Sequence, residues 1–151
     1  MAKLRTHEAL LAIRSYLVSG IPVEMAAAGG TSRIQDWIIG RYDPERLLAY
    51  DALLIGTIPE RVGALDDEQT IRMFLDLAFA VRGSTEAEVI ERQLRYGDAL
   101  VNLVQDDRTL GGAVFGSTVY NPEPEMPAPG AKMTGLTVVR LQIELNLLGG
   151  E

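Results

Sequence analysis

Cysteine is absent from this sequence. Disulfides and thiolate metal sites are therefore excluded, which fits a cytosolic origin. Histidine occurs once, as His7. A zinc site built on histidine and cysteine is thus excluded by count. A catalytic histidine needs a nucleophile or an orienting carboxylate beside it. His7 stands next to Glu8 at the start of a helical stretch and reads as a solvated surface residue. No apolar run approaches the ~20 residues of a membrane helix, so no membrane partner is expected. Met1-Ala2-Lys3-Leu4-Arg5 lacks the apolar region of a signal peptide, so the chain reads as soluble and not exported by that route. Ser19, Ser32, Ser84 and Ser117 lie outside any Gly-x-Ser-x-Gly elbow. Gly29-Gly30 and Gly111-Gly112 lack the strand–loop–helix context and the Lys-Ser/Thr of a phosphate loop. The expectation is a protein without catalytic centre, cofactor or metal.

Net positive charge is missing as well. The formal charge is −7, which repels a phosphate backbone and argues against gripping nucleic acid. It does not exclude a protein that surrounds DNA without binding it.

What is present suits one globular domain spanning residues 1–151. Apolar residues make up 47% and charged residues 23%, close to ordinary globular usage. A chain of this size buries roughly 68–70% of its unfolded surface, enough for a core without staples.

The pattern along the chain predicts α+β. Residues 6–19 read as a helix, with Leu10, Ile13 and Leu17 at helical spacing and Thr6 as its cap. Gly20 and Pro22 interrupt it, and residues 23–29 either continue as a short helix or begin a loop. Residues 33–39 suit a short strand, Asp43-Pro44 a turn, and residues 51–58 a buried strand ended by Pro59. Residues 69–82 give a strong strand, because Ile71, Met73, Leu75, Leu77, Phe79 and Val81 take every odd position. The linker from Pro59 to Glu68 makes these two strands a hairpin. Thr85 and Glu88 form a capping-box pair for a helix running to about Asp106. Its buried stripe is expected at Ile90, Leu94, Gly97, Val101 and Val104, beside Leu100, with Arg92, Arg95 and Asp98 outward. Residues 107–112 form a turn and residues 114–120 a strand. Residues 121–135 are too rich in proline and glycine for a regular ladder. Residues 136–147 form a second amphipathic strand. The expected architecture is a mostly antiparallel four-stranded sheet with two main helices on one face and long β-hairpins.

Candidate sites are few. Asp66-Asp67-Glu68 lacks the spaced ligands and glycine of a calcium loop, and a solvated hairpin loop is the simpler reading. Asp106-Asp107 reads as a helix C-terminal turn. The stretch containing Pro122, Pro124, Met126, Pro127 and Pro129 is either a mobile hairpin tip or an arm that docks on a neighbouring subunit. Trp37 and Tyr42 suit either core packing or an interface anchor.

One local signature carries a resemblance. A helix ends in Leu100-Val101-Asn102-Leu103, followed by Asp106-Asp107-Arg108-Thr109-Leu110-Gly111-Gly112, a strand, a Pro/Gly loop and a terminal alternating strand. This order, over residues 50–148, resembles the tail terminator (tail-completion) family of long-tailed bacteriophages. Only the turn from Asp107 to Gly112 carries over, as a fold marker. The resemblance implies a sheet with helices on one face and a homohexameric ring that caps the tail tube and ends its polymerisation. Its partners would be the tail tube protein and a head-completion or stopper protein, in the neck of a virion assembled in the host cytoplasm. DNA would pass through the lumen without specific binding, which negative charge suits. Asp66, Asp67 and Glu68 become candidates for a lumen-facing or tube-facing loop. A head–tail stopper, adaptor or minor tail protein is the alternative within that class, and a small enzyme with its site between strands is the alternative outside it.

Overall fold

The structure, a computed structural model, describes residues 5–40, 51–62, 70–125 and 133–146. Its first element, α1 (Thr6–Ala27), seals Leu10, Ile13, Leu17, Ile21 and Met25 against the core. The helix thus runs through Gly20 and Pro22, where the sequence suggested an interruption. An internal proline costs about 3 kcal/mol. Ile21 and Met25 continue the stripe beyond it, and each fully buried side chain of that size returns roughly 1.5–3 kcal/mol. Gly20 faces the second helix so closely that a Cβ there would stand 2.7 Å from Leu103 Cδ2. The N-cap is Arg5, without a side-chain cap bond, so the expectation for Thr6 is corrected. At 22 residues α1 is long and apolar enough to cross a bilayer by length and composition, which counting consecutive apolar residues did not suggest. Here its apolar stripe is core.

The strands are β1 (Ile34–Ile39), β2 (Asp51–Val62), β3 (Thr70–Gly83), β4 (Gly116–Val119), β5 (Glu123–Pro124) and β6 (Met133–Asn146), with α2 (Glu86–Asp106) between β3 and β4. They form one six-stranded sheet in the order β1-β2-β3-β6-β4, with β5 also paired to β6. The fold is α+β as expected, but the sheet is mixed and six-stranded, not four-stranded and antiparallel. β1 joins β2 in parallel, and every other ladder is antiparallel.

Two strand limits also differ. β2 does not stop before Pro59. The β2–β3 register shifts between Thr57 and Arg61, and the ladder resumes with Arg61 opposite Met73. Such an irregularity accepts a residue with no N–H to donate. β6 begins at Met133, within the stretch expected to be irregular, and Glu123 and Pro124 pair with Val138 and Thr137. A two-residue edge ladder tolerates proline because one side of the strand needs no donor.

The odd-numbered face of β3 is wholly buried, from Ile71 to Val81, as its period-two pattern required. It meets Leu53 and Ile55 of β2, Val139 to Leu145 of β6, and both helices in one core. α2 presents Val89, Arg92, Gln93, Tyr96, Gly97, Ala99, Leu100, Leu103 and Val104. This face is turned by about one residue, roughly 100°, from the expected stripe: Leu94 is 52% exposed and Arg92 is buried.

Thr137 lies fully buried beneath α2, and among the described residues its Oγ1 has no hydrogen-bond partner. An orphaned hydroxyl in an apolar setting costs about 1–3 kcal/mol, while a methyl of the same shape costs nothing there. Thr137→Val is therefore expected to raise stability by about 1 kcal/mol, read as a shifted denaturant midpoint with unchanged m-value. A lower midpoint would show that the hydroxyl is satisfied.

Candidate functional site

The even-numbered face of β3 and β6 points away from the helices. Its rows pair Arg72 with Glu144, Phe74 with Gln142, Asp76 with Arg140, and Ala78 with Val138. Arg72 and Glu144 form an ion pair at 3.2 Å, as do Arg140 and Asp76. The Arg140 guanidinium also lies 5.6 Å from the Phe74 ring centre, within cation–π range. Tyr120, just past β4, tilts against Phe74 at 6.3 Å and donates its hydroxyl proton to Gln142 Oε1 at 3.3 Å. Phe74, Asp76, Tyr120 and Arg140, with Asn121, Glu123 and Val138, line an open groove of about 540 Å³. It is an aromatic and charged surface on the side of the sheet away from the helices.

A second constellation is sealed inside. Asp51, at the start of β2, is fully buried. Its Oδ1 accepts from the Arg82 N–H at 3.0 Å. Its Oδ2 accepts from Arg92 Nε at 3.1 Å and from the Tyr96 hydroxyl. Arg92 then donates to Glu88 Oε1 at 2.8 Å and to the Arg82 carbonyl. The Tyr96 oxygen accepts the Arg33 N–H at 3.0 Å, and its ring stacks on Phe79 at 5.2 Å. Burial, then the Asp51 carboxylate, push the Tyr96 hydroxyl well above its usual pKa. Burial alone would lower Arg92, but Glu88, Asp51 and Tyr96 outweigh it and raise its pKa. The cluster ties β1, β2, β3 and α2 together at one end of the sheet. The Asp51 carboxylate is fully buried, and the three donors it accepts from are groups of this chain.

Glu88 is the half-exposed end of this cluster. It also takes the Ser84 N–H at 3.2 Å and the Ser84 hydroxyl at 3.0 Å. Thr85 caps α2 as expected, through the Glu88 N–H, but the Glu88 carboxylate reaches back to Ser84 and not to Thr85. The Arg92 and Ser84 bonds hold its carboxyl at about 2, below the usual 4.5. A carboxyl lowered on folding stabilises the native state fully above its unfolded value and loses that contribution as pH falls toward the folded one. Melting temperature is therefore expected to fall between about pH 4.5 and pH 2. In Glu88→Gln the fall should be smaller across that window. Parallel curves for the two proteins would assign the acid sensitivity elsewhere.

The turn after α2 is held from within. Asp107 accepts the Thr109 hydroxyl at 2.6 Å, the Thr109 N–H at 3.0 Å and the Gly111 N–H at 3.0 Å. These bonds, that of the Thr109 hydroxyl foremost, lower its pKa. Ser117 on β4 donates to the Arg108 carbonyl at 2.7 Å, fastening the turn to the strand it launches.

Of the residues singled out in the sequence, Asp66, Asp67, Glu68, Met126, Pro127 and Pro129 lie outside the described residues, as do Tyr42 and the Asp43-Pro44 turn. Pro122 is half-buried against α2 and would touch a Cβ at Gly97 at 3.0 Å. Pro124 is exposed on β5. Trp37 packs against the core, half-buried, and His7 is exposed. Among the described residues no three acidic or histidine side chains group to hold a metal ion. Sequence reasoning missed the Asp51–Arg92–Tyr96 cluster. Its one visible signal was an aspartate opening an apolar strand.

No protein-family model and no curated protein matches this chain. A solved structure without a functional description is similar over 87% of this chain and 93% of its own, at 18% identity and a TM-score of 0.43.

Proposed function

We propose that this chain is a structural virion protein of the tail-terminator kind: a ring that caps the tail tube, ends its polymerisation and forms the joint to the head connector. The observation that carries this reading is the sheet's pair of unlike edges. Among the described residues, β1 pairs on one side only, with β2, and β4 on one side only, with β6. An unpaired edge is a template for another chain. A contact between two different surfaces of the same chain is head-to-tail, and it closes into a ring when the rotation permits. The family resemblance over residues 50–148 implies the ring size of six and the partners: tail tube protein on one side, head-completion protein on the other. A net charge of −7 suits a lumen that DNA slides through.

The test is mass and tube length. Sedimentation velocity and electron microscopy are expected to show six-fold rings, and added protein should stop growth of purified tail tubes at one ring per tube end. A chain monomeric at all concentrations that leaves tube growth unchanged would overturn the reading.

A further inference from the structure

We infer that the open β3–β6 face pairs with the same face of a second copy. This goes beyond the ring, because a head-to-tail ring contact uses two different surfaces and this contact uses one surface twice.

The face is self-complementary row by row. Give a second copy a half-turn about an axis along the strands, midway between β3 and β6. Its β3 then lies over the first copy's β6. Because the ladder is in register, Arg72 faces Glu144 and Asp76 faces Arg140, each in both directions. The small Ala78 faces the larger Val138, and Phe74 lies over Gln142. Each of these four charges meets its opposite, and small meets large. A half-turn about an axis across the strands also opposes the charges, but it carries Ala78 to the end of the strand at Thr70 and sets Phe74 on itself. The first arrangement is therefore the one the side chains fit.

Sheets pack face to face about 10 Å apart, with strands within about 30° of each other. The side chains needed are in place. Arg140 is held by Asp76 and by the Phe74 ring, and Tyr120, 43% exposed, forms the wall of the groove. Held aromatic and arginine side chains lose little freedom on contact. On β2 and at the Ala80 end of β3 the same face is already buried, at Ala52, Leu54 and Ala80, so the contact is confined to the β3–β6 rows from Arg72–Glu144 to Ala78–Val138. Within one chain the two ion pairs are exposed and contribute little. Across the pair they become a shielded network. The net charge opposes association only at long range, and salt screens it beyond roughly 8 Å at physiological strength.

The experiment is a reciprocal charge exchange, read by sedimentation equilibrium on four proteins and one mixture. Wild type is expected to associate two-fold. Arg140→Glu sets the introduced carboxylate over Asp76 twice, and Asp76→Arg sets the introduced guanidinium over Arg140 twice. Each variant alone should therefore associate at least about tenfold more weakly. Mixed in equal amounts they should recover wild-type affinity as a mixed pair, and the double variant Asp76→Arg/Arg140→Glu should recover it with itself. Melting curves confirm that each variant is folded, since the substituted side chains are solvent-facing. A wild type without two-fold association, single variants that pair as tightly as wild type, or a mixture that does not recover would each overturn the inference. Its failure is distinguishable from failure of the ring: without the ring, wild type runs as a dimer, and without this contact it runs as a single ring.

Discussion

Asp51→Ala is expected to destabilise the protein by about 3–5 kcal/mol, the cost of leaving three donors without their shared, buried carboxylate. For a chain of this size that corresponds to a fall in melting temperature of roughly 10 °C. The effect is large because one carboxylate satisfies three donors: the Arg82 N–H, Arg92 Nε and the Tyr96 hydroxyl. Removing it leaves the Arg92 Nε–H, on a residue only 8% exposed, without an acceptor and Glu88 as the ion-pair partner that remains. Asp51→Asn keeps an acceptor but removes the charge, so it should fall between wild type and alanine. The informative comparison is Asp51→Leu/Arg92→Met. Replacing both members of a buried pair with apolar groups of similar volume is often close to neutral, but the Arg82 N–H and the Tyr96 hydroxyl still lose their acceptor, so this double variant should regain only part of the loss. Denaturant unfolding of the three variants decides the matter. A cost below about 1 kcal/mol for Asp51→Ala would mean that water reaches Arg92 and that the cluster is not sealed.

That cluster also marks where sequence reasoning ends. Period-two burial at Ile71 to Val81 and at Val139 to Leu145 is a local property, and a chain alone displays it. The Thr85 cap is equally local. The local pattern sets Arg92 on the solvent side, since a charged residue is rarely buried without a partner. Its partner Asp51 lies 41 residues away. The two meet only because antiparallel pairing returns the end of β3 beside the start of β2, and α2 begins three residues after β3 ends. Once Arg92 is inside, Tyr96 and Gln93 turn inward with it, and Leu94 is carried out to solvent. The one-residue error in the α2 face thus follows from one unseen ion pair. The helix through Pro22 has a similar cause. Local rules weigh the proline alone, whereas the fold weighs it against Ile21 and Met25. The open β3–β6 face was legible as alternation, but its row-by-row match depends on register, which strand sequences alone do not fix.

The turn that follows α2 offers a matched pair of substitutions. Leu110, Gly111 and Gly112 are consecutive residues with positive φ, at 52°, 72° and 88°. A side chain in that region costs roughly 1–2 kcal/mol. Leu110 is held there because its side chain is buried in the core, at 1% exposure. Gly112→Ala meets nothing within 4 Å, so its cost should be the backbone preference alone, about 1 kcal/mol. Gly111→Ala adds a clash, because the new Cβ would stand 2.9 Å from Tyr16 Cδ1. Tyr16 cannot swing aside freely, since its hydroxyl donates to the Leu103 carbonyl at 3.1 Å. Gly111→Ala is therefore expected to cost roughly 2–3 kcal/mol, strain and contact together. Adding Tyr16→Ala should abolish the difference between the two sites, because it deletes the ring that the methyl strikes. Equal costs for Gly111→Ala and Gly112→Ala in the wild-type background would show that α1 yields at Tyr16. The consequence for assembly runs through Ser117, which fastens β4 to the turn at Arg108. A displaced turn moves the β4 edge, so in the proposed ring Gly111→Ala should weaken closure more than Gly112→Ala, in the same order as the stabilities.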